Sequence, residues 1–158
     1  MRIAIKTNVG TIFTTGKKEM KLLFASILLI LSGGTVMAND IKVYLDNNEY
    51  VLSVDDNETA RDVFERMPDE MVLQRYGGHE YTGTLPDVND YDDEQTSKLV
   101  AGHVYYWMPG NAFVINYVDY DIAPYMSVHI GEFVDKSVCD LLQNANYEIT
   151  ISKGKANE

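Results

Sequence analysis

The stretch LPDVNDYDDEQ, residues 85–95, gathers five acidic side chains in eleven positions with no basic one among them. A calcium loop would need oxygen ligands at alternate positions, a glycine at the bend and a closing glutamate. Asp87, Asn89 and Tyr91 do alternate, but the glycine is missing. The reading is a surface loop with weak attraction for cations and no specific metal site. The three histidines, His79, His103 and His129, are no better placed, since none stands at i, i+2 or i+4 from another zinc-type ligand. Neither a metal nor another cofactor is expected.

Nucleophilic chemistry has little to work with. Gly-x-Ser-x-Gly is absent and no glycine-rich phosphate loop follows a strand. The single cysteine, Cys139, lies among apolar neighbours in SVCDLL and is expected to be a buried, inert thiol. What remains is a concentration of rings: Tyr76, Tyr81, Tyr105, Tyr106, Trp107, Phe113, Tyr117, Tyr120 and Tyr125. Strand residues alternate between faces, so Tyr105 and Trp107 share one and Tyr106 takes the other. The candidate ligand-binding set is Tyr76, Glu80, Tyr106, Trp107 and Asn111, with rings as walls and the carboxylate and amide as orienting groups.

The elements that must carry these residues follow from periodicity. DIKVYLDNNEYVLSV, residues 40–54, alternates on either side of Asn47-Asn48 and predicts a hairpin. In DNETARDVFERMP the period changes: Ala60, Val63, Phe64 and Met67 line one face of a short helix, with Arg61, Asp62, Glu65 and Arg66 toward water. Asn57 is its cap and Pro68 its stop. EMVLQRY, HEYTGTL, HVYYWM, AFVINYV, YMSVHIGEFV and YEITIS read as strands, and KSVCDLLQNA as a second helix. The expectation is one mainly β domain over residues 39–158, with about eight strands and two short α-helices.

The N-terminus has a different character. Lys17, Lys18 and Lys21 precede the apolar run LLFASILLIL, residues 22–31, and SGGTVMAND follows. That run falls short of the roughly 20 residues needed to span a bilayer, so residues 1–38 read as a signal peptide cleaved after Ala38, with Met20 as an alternative start. The remainder holds 8 basic and 23 acidic residues, a net charge of −15 with histidine neutral. So anionic a surface repels phosphate backbones and anionic lipids, so nucleic acid is not an expected partner, and no stable membrane insertion is expected after cleavage.

The order of TARD at 59–62, Tyr76-Gly77 with Glu80, Leu85-Pro86 and YYWMPGNAFVINY at 105–117 resembles the bacterial cyclophilin-like domain family over nearly the whole mature part. Where members commonly carry an aspartate before the YYW-type strand, this chain has His103. The resemblance implies a closed β-barrel flanked by two helices. Cyclophilins proper isomerise X-Pro bonds with an arginine on an FHR-type strand, a motif missing here, and Arg75 is the one strand arginine of the mature part. The functional expectation is an exported, periplasmic or secreted module binding a peptide or small apolar ligand. The alternative is a peptidyl-prolyl isomerase with a non-standard site, and catalytic residues are unassigned. Sequencing the N-terminus of the exported protein is expected to return Asn39 first; a protein that keeps residues 22–31 would refute cleavage.

Overall fold

A curling sheet leaves two rows of unpaired backbone groups at its edges, and closing on itself removes both. The computed structural model describes residues 39–154, so the signal-peptide reading concerns residues outside the described part. In chain order the elements are β1 (Asp40–Leu45), β2 (Asn48–Val54), α1 (Glu58–Arg66), β3 (Glu70–Tyr76), β4 (Glu80–Thr84), β5 (Gln95–Thr96) and β6 (Lys98–Leu99). There follow β7 (His103–Trp107), β8 (Ala112–Asn116), β9 (Tyr120–Asp121), β10 (Ser127–Phe133), α2 (Val138–Asn144) and β11 (Glu148–Lys153).

Eight of the strands form an antiparallel barrel in the order β2-β1-β11-β3-β4-β8-β7-β10, closed where β10 pairs back onto β2 through Gly131↔Val54, Glu132↔Ser53 and Phe133↔Leu52. The expected closed barrel with two helices is thus present. Three two-residue strands escaped the periodicity: β5 extends beside β10, while β6 and β9 pair as a strap of their own. A run of two residues has no period to read. The first hairpin also turns one residue earlier than expected. Asp46 and Asn47 take positive φ of 45° and 73° between Leu45 and Asn48, which pair across it. Two left-handed residues in a two-residue loop match the twist of the flanking strands.

Inward positions fill the barrel with Val43, Leu45, Leu52, Leu73, Phe113, Ile115, Ile130 and Ile151, and each helix packs on the same core through Val63 and Met67 or Val138 and Leu142. Burying each such side chain contributes about 1.5–3 kcal/mol. Asn57 caps α1 as expected, its Oδ1 accepting from the Ala60 amide at 2.7 Å. Asp62 does not face water. It is 8% exposed and accepts from Arg66 Nε at 2.5 Å and the Asn89 amide at 2.8 Å. The acidic loop folds back over the helix, anchored by buried Leu85 and by Val88. Asp87, Asp90, Asp92 and Glu94 remain on the surface as expected.

Arg75 holds one end of this assembly together. Its guanidinium donates to the hydroxyls of Tyr117 and Tyr81 at 2.9 and 2.7 Å, and to the carbonyls of Leu142, Gln143 and Ala145. The last carbonyls of a helix lack intrahelical partners and carry its negative end, so a cation stabilises them. Tyr81 completes the clamp by donating to the Asn146 carbonyl. Arg75→Ala is expected to lower the unfolding free energy by about 2–4 kcal/mol in urea titrations, with Arg75→Lys restoring less than half, because a point charge does not span the same acceptors. Unchanged stability would show the clamp to be incidental.

Candidate functional site

The barrel closure leaves one discontinuity. β2 leaves β10 after Val54, and β5 takes up the same edge only at Gln95↔Val128 and Thr96↔Ser127. Between them the Asp55 amide donates to the Ile130 carbonyl, and Asn57 Nδ2 to that of His129. The cleft over this gap has a volume of about 470 Å³ and is lined by Asp55, Asn57, Asp93, Glu94, Gln95, Thr96 and His129. Asp93 is fixed in place, because its Oδ2 accepts from both the amide and the hydroxyl of Thr59 at 2.7 Å. Those two bonds hold its carboxyl below the usual carboxylate range.

His129 sits on the barrel exterior because Val128 and Ile130, its neighbours on β10, point into the core. A bulge between His129 and Gly131 offsets β10 against β7. That exterior row forms a polar chain. His129 Nδ1 lies 2.5 Å from Asp55 Oδ2, and its Nε2 lies 2.8 Å from His103 Nδ1. His103 Nε2 is 3.3 Å from Glu132 Oε2, which in turn accepts from Lys136 Nζ at 2.7 Å. Tyr105 meets the His129 ring edge-on at 5.2 Å. Burial first, then Lys136, holds His103 below the ordinary imidazole value, while the Lys136 ammonium lowers Glu132.

A carboxylate aligned on one imidazole nitrogen is the orienting half of an acid–base dyad. Here the second nitrogen of His129 faces another imidazole instead of the cleft, so no lone pair is presented to a substrate. The Cys139 thiol, half-buried on α2, is pushed up by burial and lies outside the cleft lining. The arrangement suits binding better than nucleophilic chemistry. Among the described residues, no group of three or more His, Cys, Asp or Glu is arranged to hold a metal ion. No helix among them is long and apolar enough to cross a membrane.

The five residues expected to line a ligand site fall in three separate places. Tyr106 is in the barrel core, 3% exposed, and donates to Asn111 Oδ1 at 2.8 Å. Its ring is not available as a groove wall. Asn111 takes a left-handed φ of 46° and donates to the Leu85 carbonyl, so its amide shapes a turn. Trp107 is on the opposite face, half-buried, meeting Tyr125 edge-on at 6.4 Å. Its neighbour Tyr105 is buried with Leu99, Ala112 and Val114 in a second apolar cluster outside the barrel. The β6–β9 strap, through Leu99 and the Ile122 beside it, supplies that cover, so most of the aromatic set is packing. Tyr76 and Glu80 face each other across β3 and β4, with Tyr76 64% exposed.

The histidine cluster is what sequence reading missed. His103 and His129 are 26 residues apart, and spacing rules for metal or catalytic motifs look only a few residues along. One usable signal was parity: His129 alternates with Val128 and Ile130, and His103 precedes Val104, so both point outward. Which outward residues become neighbours depends on the β7–β10 register.

The profile of the cyclophilin-like family matches residues 43–152. The chain belongs to the cyclophilin-like family. A hypothetical protein from Archaeoglobus fulgidus, known from its solution structure, superposes with a TM-score of 0.52 at 18% identity, covering 78% of this chain and 100% of that one. At such identity the likeness establishes the fold. Curated proteins give no match.

On this cyclophilin-like barrel Glu80 has an environment of its own. It lies opposite Asn116, a fully buried residue whose side-chain amide has no hydrogen-bond partner among the described residues. His79 approaches it at 3.6 Å and stacks on Tyr120 at 3.8 Å. Burial raises the Glu80 carboxyl from 4.5 to about 7 and lowers His79. A carboxyl raised by folding is bound to its proton more tightly in the folded state. Its stability contribution is therefore whole below about pH 4.5 and is lost as pH rises through about 7, by on the order of 3 kcal/mol. Glu80→Gln is expected to remove that part of the pH dependence in denaturant titrations between pH 4.5 and 8; an unchanged profile would contradict it.

Proposed function

We propose that this cyclophilin-like protein is an exported binding module whose cleft takes a peptide segment or small ligand carrying positive charge. One observation carries the reading: Asp55, Asp93 and Glu94 wall the cleft and no lysine or arginine lines it. A unit charge about 4 Å from a carboxylate gains about 1 kcal/mol in water and more where protein displaces water, so several carboxylates around one concavity select for cations. The excess of acidic over basic residues across the mature part supports the same preference by attracting cations over a longer range. Export rests on the lysines and apolar run of residues 17–31. A peptide remains the favoured ligand class because Gln95 and Thr96 belong to a strand at the end of the sheet, where an extended chain finds backbone partners. The apolar ligand expected from the rings loses its support once most of them are packing. The isomerase alternative has no comparable support, since Arg75 is spent on the end of α2 and two tyrosines.

Isothermal titration with acetylated, amidated trilysine tests the reading. Binding is expected to weaken about threefold to tenfold in Glu94→Gln and to fall as salt rises from 50 to 500 mM, as screening of a charged contact requires. Trilysine binding no better than trialanine, or unaltered in Glu94→Gln, would overturn the proposal.

A further inference from the structure

The histidine pair beneath the cleft admits a count of its protons. An ionised carboxylate only accepts hydrogen bonds. Asp55 therefore needs an N–H at Nδ1 of His129, and the Glu132 carboxylate, an ion-pair contact 3.3 Å from Nε2 of His103, favours one there over a facing lone pair. The two remaining nitrogens, 2.8 Å apart, need one hydrogen between them. Three N–H groups on two imidazoles amount to one positive charge, shared by both rings.

Changing that count has defined consequences. A fourth proton sets N–H against N–H across 2.8 Å, so the rings must separate while each keeps its carboxylate. Removing the third proton leaves one contact with an acceptor on both sides. The contact given up is His103–Glu132, the longer of the two carboxylate contacts at 3.3 Å, whose carboxylate already holds Lys136. Asp55–His129, at 2.5 Å, persists. Both changes act on the cleft, because His129 lines it and each proton added puts positive charge beneath the site.

We propose that the His103–His129 pair is a proton-operated control of the cleft, which weakens cation binding with each proton it takes and parts its rings on taking the second. This rests on the cation-binding reading above and adds its regulation. The groups facing the pair are Asp55 after β2, Tyr105 on β7, Glu132 on β10 and Lys136 before α2, with Asp93 and Glu94 across the cleft. Among these residue types only imidazole ordinarily changes charge between pH 5 and 8. Burial of His103 and the nearby Lys136 both oppose the second proton, which places ring separation on the acid side.

Two measurements on the mature protein test this. Trilysine affinity is expected to rise about tenfold from pH 5.5 to 7.5, consistent with losing about one charge beneath the site, and His129→Gln is expected to flatten that dependence. Trilysine binding that is flat with pH in the unaltered protein would overturn the control and leave the cleft reading standing; no binding at any pH would overturn both. Imidazole nitrogen spectra from pH 5 to 8 are expected to show the two rings titrating in coupled steps, with His103→Gln reducing His129 to a single step. Two independent single-step titrations, with His129 unmoved by His103→Gln, would overturn the shared proton.

Discussion

The pairing of β10 with β2 is the contact on which the rest of the molecule depends. It converts an open sheet into a barrel and, among the described residues, leaves the short β5 and the β6–β9 strap as strands outside the closed ring. The contact is tight. A Cβ on Gly131 would stand 2.6 Å from the Ser53 carbonyl oxygen, so closure at this point requires a residue without a side chain. The adjacent bulge offsets β10 against β7 by one residue, which sets His129 beside Tyr105 and Glu132 beside His103. The gap left where β2 departs is the cleft. Closure and site therefore share one cause, since β10 pairs with β7 along one edge while β2 and β5 divide the other between them.

Charged groups in this acidic chain are placed by two different rules. Arg75, Asp62 and Asp93 are fixed by hydrogen bonds to backbone: Arg75 at the end of α2, Asp93 at the start of α1, and Asp62 on the loop that crosses α1. Each satisfies a backbone group that secondary structure leaves open. Glu80 follows the other rule. Burial, with no cation against it, favours the neutral form of its carboxyl. The histidine pair stands between these extremes, because Asp55 and Glu132 favour its charge while burial and Lys136 oppose the charge on His103.

The exterior of the barrel is therefore not uniform. On β7 and β8 it is covered by the strap and a second apolar cluster, which accounts for Tyr105 and much of Trp107. Along β10 it is polar and open at the cleft. A cyclophilin-like barrel used for binding an apolar groove ligand would be expected to leave the first of these faces bare. Here that face is covered, and a cleft walled by carboxylates lies along β10.

Alternation in residues 40–54, the aromatic and β-branched runs of residues 103–108 and 112–118, the helical period of residues 60–67 and the Asn57 cap were all legible in the chain, because each depends on residues a few positions apart. So was the opposite facing of Tyr105 and Tyr106, a matter of parity alone. The shift of the first turn to Asp46-Asn47, the burial of Asp62 and the cover over Tyr105 were not, since each depends on a distant or competing partner. The Asp55–His129–His103–Glu132 chain is the clearest case: its members come from three separated stretches, and the β2–β10 pairing, the β7–β10 register and the bulge at His129 together make them neighbours. Local preference decided which way each of these side chains points. Strand register, a property of the closed barrel, decided what it meets.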